Sequence, residues 1–304
     1  MNEPDDDLRR YLVEEAIEDF EEGRLSRRGA LRMIAGITGA AAAAQMLEAR
    51  AQQPALKSGY SPARSPYSVA ANDPSVVARY VPFPGADGGQ LRGYLAHPAK
   101  PGRYPVVLVC HENRGLTPHI EDVTRRAAKA GYVGMAVDLL SREGGTASHD
   151  YETIPGILTK ASPQRHVQDF ASGLGYAKSQ PFARGDRVGM TGFCFGGGVT
   201  WRVAAGVSEL RAAVPFYGVP VQAPDVPKIN AAVLALYGER DQRVNANIPA
   251  IEEAMKANGK TFRKIIYKDA DHAFHNDTGE RYNPVAAKAA WDETLDWLER
   301  YLKS

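Results

Sequence analysis

Two cysteines in 304 residues cannot build a disulfide framework. Cys110 and Cys194 lie in such different local sequences that each needs its own explanation. An excess of one charge is missing too. Lys and Arg number 37 against 36 Asp and Glu, a net charge of +1, so nothing in the balance marks the chain for nucleic acid or an anionic membrane. The apolar run near the N-terminus, Met33 to Leu47, is Ala- and Gly-rich, short and interrupted, which excludes a stable transmembrane helix there. No repeat occurs at a solenoid or propeller period. The glycine-dense turn at 192–197 lacks the lysine and the serine or threonine of a nucleotide-phosphate loop. A small-molecule partner is what these absences leave, with no cofactor and no metal implied, in a monomer or small homo-oligomer. Hydrophobic residues at 44% are ample for one sizeable core.

Residues 1–51 have the order of an export signal with an acidic lead. A charged helix-like run through Glu14, Glu15, Glu18, Asp19, Glu21 and Glu22 precedes Ser26-Arg27-Arg28-Gly29-Ala30-Leu31-Arg32, which resembles a twin-arginine motif with Ala30 in place of the usual phenylalanine. The apolar run follows, and Ala49-Arg50-Ala51 offers a small-x-small cleavage pattern that would leave Gln52 as the mature N-terminus. The expectation is a periplasmic or secreted protein handled by twin-arginine export machinery, or a cytoplasmic one if the leader does not function; an uncleaved Ala-rich helix is the plainer alternative. Either reading sets the segment apart from the fold. Residues 52–75, rich in Pro, Ser and Ala with Ser61-Pro62, Ser65-Pro66 and Asp73-Pro74, read as a linker or wrapping arm.

Residues 76–304 alternate short apolar runs with longer segments of helical period, the pattern of a mostly parallel central sheet with helices on both faces, an α/β class. Residues 104–110 are apolar at consecutive positions, as in a strand buried on both sides. Residues 132–137, 187–191, 211–217 and 232–237 repeat the theme, and 261–267 alternates, as nearer an edge. Residues 76–81 and 91–97 flank a Gly-Ala-Asp-Gly-Gly turn and suggest an opening antiparallel hairpin. Helices are expected at 120–130, 166–179, 195–205, 248–258 and 285–302, the last with Trp291, Leu295, Leu298 and Leu302 on one face.

Chemistry concentrates in Gly192-Phe193-Cys194-Phe195-Gly196-Gly197, between a buried strand and a helical run. A nucleophile there sits on a tight, strained turn, and the amides at the following helix N-terminus can stabilise a thiolate or an oxyanion. The Phe195 N–H is the natural oxyanion donor. On such a fold an acid and a histidine follow the nucleophile in chain order, each after a later strand. Asp241 in Tyr237-Gly238-Glu239-Arg240-Asp241 and His272 in Asp269-Ala270-Asp271-His272-Ala273-Phe274 meet that condition, with Glu239 and Asp271 as competing acids. The rival histidine, His275, reads as a solvated loop residue. After the strand ending at Cys110 comes His111-Glu112-Asn113-Arg114-Gly115, where the Asn113 N–H is the second oxyanion donor and Glu112 a carboxylate able to hold or accept the thiol proton. Cys110 itself reads as a small core residue. A zinc site from His272, His275 and His111-Glu112 is the rival use of these side chains, but it leaves the glycine-flanked cysteine unexplained.

From about Val76 to Leu302 these features together resemble the dienelactone hydrolases, or carboxymethylenebutenolidases, of the α/β-hydrolase superfamily. The resemblance implies an α/β-hydrolase fold and carboxylic ester hydrolysis. Cys194 would attack a lactone or enol-ester carbonyl, His272 relay the proton, Asp241 orient His272, and Glu112 gate the thiol when substrate binds. It also implies arginines that bind a substrate carboxylate, one close behind the catalytic histidine. Here His275 or Asn276 stands in that region, and Arg114, Arg142 and Arg165 are the substitutes on offer. A different class of function, a small-molecule binder or thiol redox sensor on the same scaffold, would leave Cys194 without a substrate.

Overall fold

The computed structural model describes residues 6–48 and 62–304. Eight strands form one sheet: β1 (Val76–Pro84), β2 (Gln90–Pro98), β3 (Tyr104–Cys110), β4 (Val133–Val137), β5 (Ala183–Phe193), β6 (Ala212–Phe216), β7 (Ala232–Gly238) and β8 (Phe262–Tyr267). Their spatial order is β1-β2-β4-β3-β5-β6-β7-β8. β1 and β2 pair as an antiparallel hairpin, β2 runs antiparallel to β4, and every pairing from β4 to β8 is parallel. The fully apolar runs of β4, β6 and β7 are buried at every position, whereas β8, at the sheet's edge, keeps a mixed pattern. The period-2 and continuous-apolar readings of the sequence therefore fall at the sheet's edge and in its helix-covered interior.

The chain leaves β3 toward β4 on one side and returns to β5 on the other. Loops at the carboxyl ends of β3 and β5 therefore diverge and open a crevice, the usual ligand position of such sheets. Residues 111–115 and Cys194 occupy it.

The connecting helices include α4 (Pro118–Lys129), the short α5 (Ile154–Leu158), α6 (Pro163–Lys178), α7 (Phe195–Gly206), α8 (Gln242–Asn245), α9 (Ile248–Ala257) and α10 (Pro284–Leu298). Proline stands in the first turn of α4, α5, α6, α9 and α10, where its missing N–H costs nothing. The regular helix at the C-terminus stops at Leu298 and widens into a π turn over Glu299–Lys303, which still buries Leu302.

The N-terminal segment expected to be a leader is folded. It forms α1 (Asp6–Glu21), α2 (Arg27–Thr38) and α3 (Ala40–Glu48), with Ser26 capping α2 through its hydroxyl to Gly29 N. Val13, Ala16, Ile17 and Phe20 of α1 pack with Ala30, Met33 and Ile34 of α2 and with Ala43 and Leu47 of α3 into a small core of their own. The opposite stripe of α1, Leu8, Tyr11 and Leu12, joins the main core. α2 meets α5 glycine to glycine, since a Cβ on Gly156 would lie 3.0 Å from the Gly36 backbone. Among the described residues no helix is long and apolar enough to cross a membrane. The sequence alone set residues 1–51 apart from the fold; in the structure residues 6–48 lie against the domain built on the sheet. The expected cleavage pattern, Ala49 to Gln52, lies outside the described residues.

The described part of the expected linker, residues 62–75, is a wrapping arm held by Asp122, which accepts from Val69 N at 2.6 Å, by Asp292 at Tyr67, and above all by Asp277. Asp277 accepts from the Arg64 and Ser65 amides at 3.1 and 2.8 Å, from Ser68 Oγ at 3.0 Å, and from Arg126 and His119 of α4 at 2.8 and 2.9 Å. Burial would raise its pKa, yet these donors hold it far below the usual carboxylate range. Asp277→Ala would leave Arg126 with the Asp122 carboxylate alone and would remove the acceptor of His119 and of the Arg64 and Ser65 amides. It should lower stability by about 1–3 kcal/mol, read from urea unfolding.

Candidate active site

Cys194 terminates β5 with φ 58° and ψ −121°, a conformation that L-residues rarely adopt, and α7 begins at the next residue. Glycine makes the turn possible. A Cβ on Gly196 would lie 2.4 Å from the His111 carbonyl oxygen, and one on Gly192 would lie 2.3 Å from that of Gly196, so the end of β3 and the first turn of α7 close directly on the elbow. Gly196→Ala must therefore push the β3 loop aside. An overpacking cost of about 1–3 kcal/mol is expected, visible as a lower melting temperature together with lost activity.

His272 and Asp241 converge on Cys194 from the loops after β8 and β7. Asp241 caps α8, accepting from Val244 N at 3.2 Å through Oδ1, while its Oδ2 accepts from His272 Nδ1 at 2.5 Å. The two competing acids are elsewhere. Glu239 is exposed and accepts from the Asp269 amide at 3.0 Å, and Asp271 lies 3.7 Å from Arg240. Tyr217 packs edge-on against the His272 ring with centroids 4.9 Å apart. Burial alone would lower the His272 pKa, but the Asp241 carboxylate, joined by Cys194, lifts it well above the ordinary value; for Asp241 burial is opposed by His272, Arg243 and the Val244 amide, and its pKa falls.

On the β3 side, His111 is structural: its Nε2 accepts from Leu139 N at 3.3 Å, which leaves Nδ1–H to donate to the Glu112 carbonyl at 2.6 Å. Cys110 is fully buried in the core. Glu112 is buried as well, and its Oε2 accepts from Asn276 Nδ2 at 2.6 Å. Burial raises its pKa. The carboxylate lying on the thiol is a different one: Glu15 of α1, with its two oxygens 3.5 and 3.6 Å from Cys194 Sγ. Glu15 also accepts from Asn113 Nδ2 at 2.8 Å, so it bridges the nucleophile and the loop expected to supply an oxyanion donor. The Tyr11 hydroxyl, one helical turn earlier, is 3.1 Å from both Cys194 Sγ and His272 Nε2. Burial first, and then the Glu15 charge, raise the Cys194 pKa against the opposing pull of His272.

His275 is not the solvated residue that its loop position suggested. It is buried among Phe193, Phe216 and Trp291, and burial beside Arg126 and His119 pushes its pKa well down. Of the three substitute arginines, Arg142 is committed to Asp87 and Asp169 and Arg165 to Glu143, whereas Arg114 faces the leader, 3.7 Å from Asp19 and stacked on Tyr151. Sequence reasoning missed Tyr11, Glu15 and Arg243. Leu8, Tyr11, Leu12 and Glu15 do share one face at i, i+3, i+4 and i+7, a signal masked by the acidic composition around it.

Metal chemistry has one candidate cluster among the described residues. Glu15, Cys194 and His272 place ligand-type atoms within 4.8 Å of one another. A metal there would sit on the reacting atoms themselves.

The model of the dienelactone hydrolase family matches residues 91–302. The chain belongs to that family. Its relatives include the "Putative carboxymethylenebutenolidase" of Methylorubrum extorquens, 34% identical over 79% of this chain and 87% of that protein. A protein of the same name from Escherichia coli K12 is 32% identical over 81% of this chain and 96% of its own length. Among solved structures, the "Putative Dienelactone Hydrolase" of Klebsiella pneumoniae matches 74% of this chain and 99% of its own, with a TM-score of 0.69 and 30% identity. The fold is accordingly that of the α/β-hydrolases, and this member of the dienelactone hydrolase family is by class a carboxylic ester hydrolase. The family match starts at residue 91, so α1, α2 and α3 stand outside it.

Proposed function

We propose that this chain hydrolyses a small lactone, enol ester or related carboxylic ester through a Cys194-His272-Asp241 relay and a thioester acyl-enzyme. The observation that carries the reading is the 2.5 Å contact of His272 Nδ1 with Asp241, which turns the other ring nitrogen toward the Cys194 side of the site. His272 Nε2 takes the thiol proton as Sγ attacks the carbonyl carbon. Negative charge then grows on the carbonyl oxygen, toward the N–H groups of Phe195 and Asn113. Collapse of the tetrahedral adduct breaks the C–O bond, and the leaving oxygen takes the proton back from His272. Water, deprotonated by His272, attacks the thioester, and the acid leaves with the thiol restored. Glu112 is the proposed gate for the thiol proton; to reach Sγ it must first give up Asn276.

Mass spectrometry tests the covalent step. After mixing with an activated aryl ester, the peptide bearing Cys194 should gain the mass of the acyl group, and the gain should decay as product forms. Turnover without any adduct on that peptide, or reversible sulfur oxidation as its sole modification, would overturn the relay.

We further propose that the leader directs export by the twin-arginine route. Ser26, Arg27 and Arg28 are exposed at the start of α2, where a receptor can read them. Replacing both arginines by lysine should abolish appearance of the protein outside the cytoplasm in a fractionated cell; unchanged export would remove the idea.

A further inference from the structure

The reacting position beside Cys194 is already filled. A substrate carbonyl carbon must come within about 3–3.5 Å of the attacking sulfur, with its oxygen near the helix amides. The Tyr11 hydroxyl stands 3.1 Å from Sγ, and the Glu15 carboxylate 3.5 Å from it, on the side of Asn113. The base is engaged as well, because Tyr11 bonds His272 Nε2 at 3.1 Å. With α1 seated, Cys194 and His272 are each 2% exposed.

The catalytic domain grips α1 by its acidic side. Arg243 lies over the Tyr11 ring at 4.2 Å and donates to the Tyr11 carbonyl at 3.2 Å. Arg281 reaches Glu18, Asp19 and Glu22, each at 3.2 Å, and the buried Arg114 comes within 3.7 Å of Asp19. Three arginines against one acidic helix face, with Leu8, Tyr11 and Leu12 wedged below, form a fitted dock, more specific than a passing contact.

We propose that α1 is an intramolecular inhibitor of the Cys194 site: seated, it excludes substrate from the nucleophile and the base, and catalysis requires its displacement or removal. This rests on Cys194 and His272 being the reacting pair. The electrostatics act in the same direction. Glu15 and the dry surroundings both disfavour the thiolate, whereas His272 favours it, so departure of α1 removes the two opposing influences and keeps the helpful one.

Two full-length variants test the dock without touching the relay. Glu18→Lys/Asp19→Lys turns attraction to Arg281, Arg243 and Arg114 into repulsion at a part-exposed face, where folding is not at stake. Leu12→Asp places a carboxylate where the seated helix is dry. Each variant should speed alkylation of Cys194 by iodoacetamide, and raise kcat/KM for a small aryl acetate, by about tenfold or more, since each shifts the closed-to-open balance by over one decade. Equal alkylation rates in wild type and both variants would overturn the inhibitor. So would equal kcat/KM with a wild-type thiol that is already fast to alkylate. Faster alkylation without turnover would keep the occlusion and defeat the hydrolase reading instead.

Discussion

Cys194→Ala should reduce turnover of a small lactone or activated aryl ester by about 10⁴–10⁶ in kcat, and His272→Ala by a similar factor, because members of a relay that act as one unit lose nearly everything when either is removed. The comparison is made in the wild-type chain and again with Glu18→Lys/Asp19→Lys, so that a seated leader cannot hide the effect. Both variants should fold. Cys194 is held at φ 58° by the packing of β3 and α7 around it, and alanine keeps the Cβ that this packing accepts. Cys194→Ser should retain a small part of the rate, since a hydroxyl needs more help from His272 than a thiol does. A folded Cys194→Ala protein with full activity would remove the nucleophile, and with it the thioester.

The parts of this fold that were legible in sequence are those in which local pattern and tertiary need coincide. The continuous apolar runs of β3 and β7 are buried because both are interior strands of a sheet that helices cover, and the alternating run of β8 lies at the edge. The Gly192–Gly197 turn announced itself because only glycine tolerates the approach of the His111 and Gly196 carbonyls. The leader was not legible in the same way. Its composition matched an export signal, and composition says nothing of what a helix docks against. Tyr11 and Glu15 owe their place to Arg243, Arg281 and Arg114, which lie more than ninety residues away in the chain and carry no local mark of that use. His275 was misjudged for a related reason: distance in sequence from a strand end is no guide to burial when Trp291 from α10 covers the loop. Glu15 on Sγ was hidden for the same reason, while Glu112, expected beside the nucleophile, has its carboxylate held by Asn276.

Asp241→Asn is the second large effect, and its signature is a pH profile. Burial is the largest single influence on the His272 pKa and lowers it, but the charge and hydrogen bond of Asp241, joined by Cys194, lift it well above 6.5. An amide carries no charge to do this, so in the variant burial wins and the pKa falls; the acid limb of kcat/KM should move to lower pH. The height of the profile falls too. Asparagine can present its NH₂ to Nδ1 and hold the ring in the wrong tautomer, at a cost of about 10²–10⁴ in kcat. Stability should follow the same pair, counted once. The raised His272 contributes fully below its unfolded value near 6.5, and the contribution is lost as pH rises through the folded pKa. The depressed Asp241 contributes above its unfolded value near 3.8, and that is lost as pH falls through the folded pKa. The melting-temperature gap between wild type and Asp241→Asn should thus be widest between those limits and narrow toward either end. If the acid limb stays where it is while the rate drops, Asp241 serves α8 through its cap to Val244 and does not tune the base.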